Sequence, residues 1–175
     1  MDSRRLILVT LLGTIAFVST GFVPSPFDKI FIVFQALTLA LGSLILARGG
    51  ATYVAMINGV LVTLLRIEYV PFSFLFSLLY GVLVDSTFSI FNVRANNDVS
   101  GTRLILALTL VTAITGLTSM YSTTLIGLMP INPVLYLAIL AGGVLSGAVA
   151  GYLTRLIWKR FIIQRKSETD TSTTP

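Results

Sequence analysis

The chain has 175 residues, 55% hydrophobic and 11% charged, with a net charge of +5 and a mean hydropathy of +0.92. A soluble domain carries about 25% charged residues, so this composition, divided into long apolar runs, describes an all-α polytopic membrane protein and leaves no stretch for a soluble catalytic domain. With no cysteine and no histidine, disulfides, thiolate nucleophiles, the commonest metal ligand and the usual general base are excluded, and no P-loop pattern is present.

Six apolar spans follow in order. The first, residues 6–23, starts after Arg4 and Arg5. It is long for the apolar core of a signal peptide, and Pro24-Ser25-Pro26 is a poor cleavage site, so a retained helix is expected. It is rich in small and hydroxyl residues: Thr10, Gly13, Thr14, Ala16, Ser19, Thr20 and Gly21. The second span, 30–46, carries Gln35 and ends at the turn Arg48-Gly49-Gly50, whose glycines permit a tight reversal. The third, 51–65, carries Asn58. At about 1.5 Å per residue it covers roughly 22 Å, less than a ~30 Å hydrocarbon core, so neighbours must shield it or the bilayer must thin.

The fourth span, 70–91, opens with Phe72, Phe74 and Phe76, then holds Tyr80 and Asp85; the fifth is 103–127 and the sixth 134–158. In the sixth, Ala141, Gly142, Gly143, Ser146, Gly147, Ala148, Ala150 and Gly151 are clustered, and Gly143, Gly147 and Gly151 repeat every four residues. That spacing makes a close-packing face, ordinarily used inside a bundle and alternatively used to dock another membrane subunit. One six-helix domain over 1–163 is expected, followed by a disordered polar tail over 164–175.

With the N-terminus in the cytoplasm, the inner segments hold Arg4, Arg5, Arg48, Arg94, Arg103, Arg155, Lys159, Arg160, Arg165 and Lys166, against Lys29 and Arg66 outside. This asymmetry places both termini in the cytoplasm of a cell-membrane protein and speaks for membrane topology instead of nucleic-acid binding. Pro24, Pro26, Pro71, Pro130 and Pro133 fall in or beside the outer loops, which they stiffen.

Few polar side chains interrupt the spans. A carboxylate in lipid costs at least ~2.5 kcal/mol, so Asp85 must face protein or water. It either contacts a ligand or ion, or couples to one, or pairs internally with Arg94, Arg103 or Arg155; its depth favours the internal pair. Gln35 and Asn58 fit interhelical hydrogen bonding and ligand orientation equally well. Tyr80 and Tyr53 fit interface anchoring or core packing. Near the outer face, Arg66 and Glu68 on the second outer loop, Asn132 on the third, and the rings of Phe27, Tyr69 and Phe72 complete a candidate pocket for a polar, ring-containing molecule. Arg66 and Glu68 also fit plain solvated loop charges.

The stretch Ile32-Val33-Phe34-Gln35-Ala36-Leu37-Thr38-Leu39-Ala40-Leu41-Gly42, followed by Ala47-Arg48-Gly49-Gly50-Ala51, resembles the second-to-third-helix region of S components of energy-coupling factor (ECF) transporters. Val54-Ala55-Met56-Ile57-Asn58-Gly59-Val60-Leu61 is similar to their third helix. The fourth helix, Leu79-Tyr80-Gly81-Val82-Leu83-Val84-Asp85 and onward, and the last, Ala141 to Gly151, look like the hydroxymethylpyrimidine/thiamine-type branch, which carries an acidic residue at the position aligned with Asp85. The resemblance spans about residues 5–160. Many members carry an Ala-x-x-x-Ala pair on the first helix; this chain has Gly13–Phe17 and Ala16–Thr20 at that spacing.

The resemblance implies a non-enzymatic subunit without a cofactor. It would capture a vitamin or its precursor from outside and associate with a membrane coupling subunit and cytoplasmic ABC-type ATPases. The main alternative is a non-catalytic scaffold subunit of a membrane complex. A channel or carrier is disfavoured by the absence of an inverted repeat and of pore-lining polar groups.

Overall fold

The computed structural model describes residues 3–21, 32–46, 49–65, 72–95, 98–127 and 132–163. They form six α-helices: α1 Ser3–Gly21, α2 Ile32–Leu46, α3 Gly50–Leu65, α4 Phe72–Ile90, α5 Gly101–Leu125 and α6 Pro133–Ile157, the last continuing as a π-helix over Trp158–Ile163. Each matches an apolar run of the sequence. Three are long and apolar enough to cross a membrane: α1, α5, and α6 with its extension; α2, α3 and the body of α4 are shorter apolar helices.

The helices pack up and down. Residues of α3 meet α4 in reverse order, from Gly59 beside Phe74 and Ser77 to Gly81 beside Ala51 and Ala55. Likewise α6 descends α5, from Gly143 beside Ala113, through Gly147 beside Thr109, to Gly151 beside Ile105. The starts of α1, α3 and α5 and the ends of α2, α4 and α6 therefore share one end of the bundle, the basic end, where Arg4, Arg5, Arg103, Arg155, Lys159 and Arg160 are exposed. The opposite end is called the far end below.

Helix α2 touches all five others, and its Ala36, Leu39, Ala40 and Leu44 are buried. The short α2 is thus shielded by protein. A 16-residue α3 is only about 24 Å long, but it packs on α1, α2 and α4. The core joins these helices through Val9, Ala16, Val54, Tyr80, Val84, Leu104, Leu108 and Val111. By contrast, large apolar side chains such as Ile7, Leu11, Leu106, Leu137, Leu145 and Leu153 lie on the outside of the bundle, as expected where lipid and not water is the solvent.

Between α4 and α5 the structure adds an element that apolar periodicity did not reveal. Asn92 takes a left-handed conformation with φ 46°, which asparagine tolerates better than most residues. A two-residue antiparallel ladder follows, Arg94 opposite Val99 and Ala95 opposite Asp98. Buried Val93 anchors it, donating to Phe88 O at 3.0 Å and accepting from Ser100 N at 3.1 Å. The tail over 164–175 lies outside the described residues.

Candidate functional site

Asp85 is the clearest polar landmark of the basic end. Its Oδ1 accepts from Ala51 N at 3.2 Å, and its Oδ2 from Thr52 N at 2.8 Å and Thr52 Oγ1 at 2.7 Å. The carboxylate thus caps the first turn of a neighbouring helix, where orphan amides and the helix dipole favour negative charge. Two of the three expected arginine partners are corrected: among the described residues Asp85 makes no ion pair with Arg103 or Arg155, while the side chain of the third, Arg94, lies outside them. A signal for the true partner was available. The segment Gly49-Gly50-Ala51 opens α3 without a Ser, Thr, Asp or Asn cap of its own, so its amides needed an acceptor from elsewhere.

Close backbone contacts seal the same end. Gly49 turns the chain with φ +73°, and Gly50 then lies directly on the Gly42 carbonyl, so that no Cβ fits there. A Cβ at Gly81 would stand 2.5 Å from Ala55 Cβ and 2.8 Å from Ala51 O. Two short helices are held backbone to backbone just where Asp85 ties them by hydrogen bonds.

The middle of the bundle holds a second polar cluster. Asn58 is 3% exposed. Its Nδ2 donates to Ser77 Oγ at 3.1 Å, its Oδ1 accepts from Thr20 Oγ1 at 3.2 Å, and Ser77 Oγ donates to Ala55 O at 2.9 Å. Asn58 therefore joins α1, α3 and α4. Sequence reading singled out Asn58 but missed Thr20 and Ser77 as its partners, because they belong to other helices. Gln35 lies seven residues before Gly42 and Asn58 eight after Gly50, so at ~1.5 Å per residue both stand roughly 10–12 Å from the Gly42–Gly50 contact. The Gln35 side chain is half-buried and makes no hydrogen bond among the described residues. Tyr80, also buried, shares a 2.9 Å hydrogen bond with Thr112 Oγ1 across α4 and α5.

Two further hydroxyls, Thr63 Oγ1 on α3 and Thr115 Oγ1 on α5, are buried with no hydrogen-bond partner among the described residues. Both are carried by helices where threonines usually satisfy themselves on the carbonyl four residues back, as Thr112 does on Leu108 and Thr154 on Ala150. An unmet buried hydroxyl costs about 1–3 kcal/mol. Neither residue was singled out from the sequence, where threonine in an apolar helix is unremarkable.

Other expected site residues have different roles or lie elsewhere. Asn132 is the N-cap of α6: its Oδ1 accepts from Val134 N at 3.0 Å, and Pro133 follows at the first helical position. Its side chain is exposed and turned to its own helix. Phe27, Arg66, Glu68 and Tyr69 lie outside the described residues; Phe72 opens α4, and its side chain lies outside them. The Gly143, Gly147 and Gly151 face is filled by α5: a Cβ at Gly147 would be 2.7 Å from Thr109 Cα, and one at Gly151 2.8 Å from Ile105 Cα. Gly13 similarly faces Ile57 of α3, and Ala16 beside it is buried. These glycine positions are thus used within the chain, while Thr10 and Thr14 of α1 and Ala141 and Gly142 of α6 are exposed.

Among the described residues no group of three or more His, Cys, Asp or Glu side chains could hold a metal ion. No protein-family model, no curated protein and no solved structure matches this chain.

Proposed function

We propose that the chain is a six-span membrane protein with both termini cytoplasmic, and that it is the substrate-capture subunit of an ECF-type importer. On this reading it is not an enzyme. It binds a small polar, ring-containing ligand from the outer side, thiamine or its hydroxymethylpyrimidine precursor, and hands it on with a membrane coupling subunit and cytoplasmic ABC-type ATPases.

The single observation that carries this reading is the asymmetry of the bundle. The basic end is sealed by backbone contacts and the capped Asp85. Three polar groups that make no side-chain hydrogen bond among the described residues, Gln35, Thr63 and Thr115, stand beyond that seal. A closed inner half with neutral hydrogen-bonding groups above it suits capture from one side, and the proline-bearing far-end loops suit a preorganised mouth. Short α2 and α3 span the membrane on this account because the longer helices surround them.

Native mass spectrometry of the purified protein, with thiamine or hydroxymethylpyrimidine added, tests the proposal. A one-to-one adduct with either compound supports capture. A folded protein that takes up neither, and that instead co-purifies with other membrane subunits, moves the assignment to a scaffold subunit.

A further inference from the structure

At the basic end, α6 finishes beside the beginning of α5. The Arg155 side chain is laid directly over Gly101, which has no Cβ to obstruct it. No acidic side chain among the described residues pairs with it: the first turn of α5 holds none, Arg155 makes no ion pair among them, and the Asp98 side chain lies outside them. Lys159 stands one turn further on, and Arg160 beside it; all three are exposed. The only acidic side chain among the described ones, Asp85, already accepts three hydrogen bonds from α3.

The same face of α6 becomes apolar at once toward the middle of the bundle. Tyr152, Ala148 and Leu145 precede Arg155 by three, seven and ten residues, the spacing that lines one face of a helix. Tyr152 is 57% and Leu145 67% exposed. A cationic site pinned against a neighbouring helix, an amphipathic ring at the boundary and an exposed apolar lane beyond it form a two-part surface. A soluble anion would use only the first part. A phospholipid uses both, its phosphate at Arg155 and Lys159 and an acyl chain along Leu145 and Ala148.

We infer that the α5–α6 corner is a binding site for an anionic phospholipid, with Arg155 and Lys159 holding the headgroup phosphate. The inference rests on the reading of the chain as an integral membrane protein, and not on which ligand it captures. Held there, the lipid would balance the charge that Arg155 brings to the start of α5 and fasten α6 to α5 at the end where the π-helix begins.

The test is native mass spectrometry of the full chain released from detergent micelles, with phosphatidylglycerol or phosphatidylcholine of identical acyl chains supplied in equal amounts. Phosphatidylglycerol adducts should be retained in excess, by about fivefold for each basic side chain engaged. Arg155→Gln combined with Lys159→Gln should bring retention down to the phosphatidylcholine level, while Arg4→Gln should leave it unchanged. An excess of inorganic phosphate should not displace the lipid. Equal retention of the two lipids by the parent protein overturns the inference without reference to any variant. Displacement by inorganic phosphate overturns it in favour of a simple anion site, and undiminished phosphatidylglycerol retention by the double variant places the lipid elsewhere. A chain recovered in the alkaline-soluble fraction instead of the membrane would refute the membrane reading itself, an outcome separate from these.

Discussion

The two halves of the bundle solve the same problem, holding short apolar helices together in an apolar solvent, in different ways. At the basic end the helices approach until backbone meets backbone, at Gly42 with Gly50 and Gly81 with Ala51, and the Asp85 carboxylate accepts hydrogen bonds from α3. Toward the far end the joints are made by neutral side chains: Asn58 with Thr20 and Ser77. Two hydroxyls, on Thr63 and Thr115, have no hydrogen-bond partner among the described residues. Close approach favours rigidity through dispersion contacts, since helices in lipid gain no hydrophobic driving force from associating. Neutral polar joints are weaker and can be rearranged. The difference teaches that polar residues in the spans must be sorted by what they already hold before they are offered to a ligand.

The largest effect is expected at the glycines. Gly147→Leu should force α6 off α5, at a cost of about 3 kcal/mol, the upper range for overpacking, or a fall of roughly 6–12 °C in melting temperature for a chain of this size. Gly142→Leu, only five residues away but with nothing within 4 Å of its Cβ position, should leave the melting temperature unchanged. Thermal melts of the detergent-solubilised pair read the contrast directly, and equal behaviour of the two variants would deny the close contact.

Next comes the Asp85 cap. Asp85→Leu strands Thr52 Oγ1 and two α3 amides and should destabilise by about 1–3 kcal/mol. Asp85→Asn, which retains an acceptor, should lose less, and neither should alter ligand affinity in the fraction that folds. Loss of ligand binding with an undisturbed melt in Asp85→Asn would transfer Asp85 from the seal to the site.

A smaller effect is expected at Asn58. Sequence reading alone leaves Asn58 equally suited to interhelical hydrogen bonding and to ligand orientation. The three-helix hydrogen bonding sharpens that expectation: Asn58→Ala should destabilise by about 1 kcal/mol, the scale of interhelical hydrogen bonds in lipid, in addition to any effect on ligand. The smallest stability effect belongs to Gln35→Ala, whose side chain holds no other group among the described residues. It should melt like the parent but bind ligand at least tenfold more weakly, about 1.4 kcal/mol. Calorimetric titration with thiamine or hydroxymethylpyrimidine separates these two residues: parent-like affinity in Gln35→Ala would remove it from the pocket.

How much of this was legible from residues alone follows from where each kind of information resides. Helix extents are a property of the local chain, so the run 51–65 anticipates Gly50–Leu65 and 30–46 anticipates Ile32–Leu46 to within two residues. Glycine spacing told that α6 has a close-packing face, yet not that α5 fills it, since the partner is chosen in three dimensions. The same holds for Asp85, whose acceptor role depends on Thr52, 33 residues away. The ladder over 94–99 was missed because two residues per strand are too few to show alternation, although the polar run Asn96-Asn97-Asp98 is a turn signal. For the candidate site, Gln35 and Asn58 stood out because carboxamides are rare in such helices. Thr63 and Thr115 did not, because a helical threonine normally satisfies itself.

On the proposed function the sealed, basic end faces the cytoplasm and the far end faces outward, where a ligand is captured. With no native cysteine in the chain, a membrane-impermeant thiol reagent applied to cells expressing the single variants Lys29→Cys or Arg160→Cys tests it most directly. Lys29→Cys should react in intact cells and Arg160→Cys only after the membrane is permeabilised. Labelling of Arg160→Cys in intact cells, with Lys29→Cys protected until permeabilisation, would invert the molecule in the membrane and contradict capture from outside.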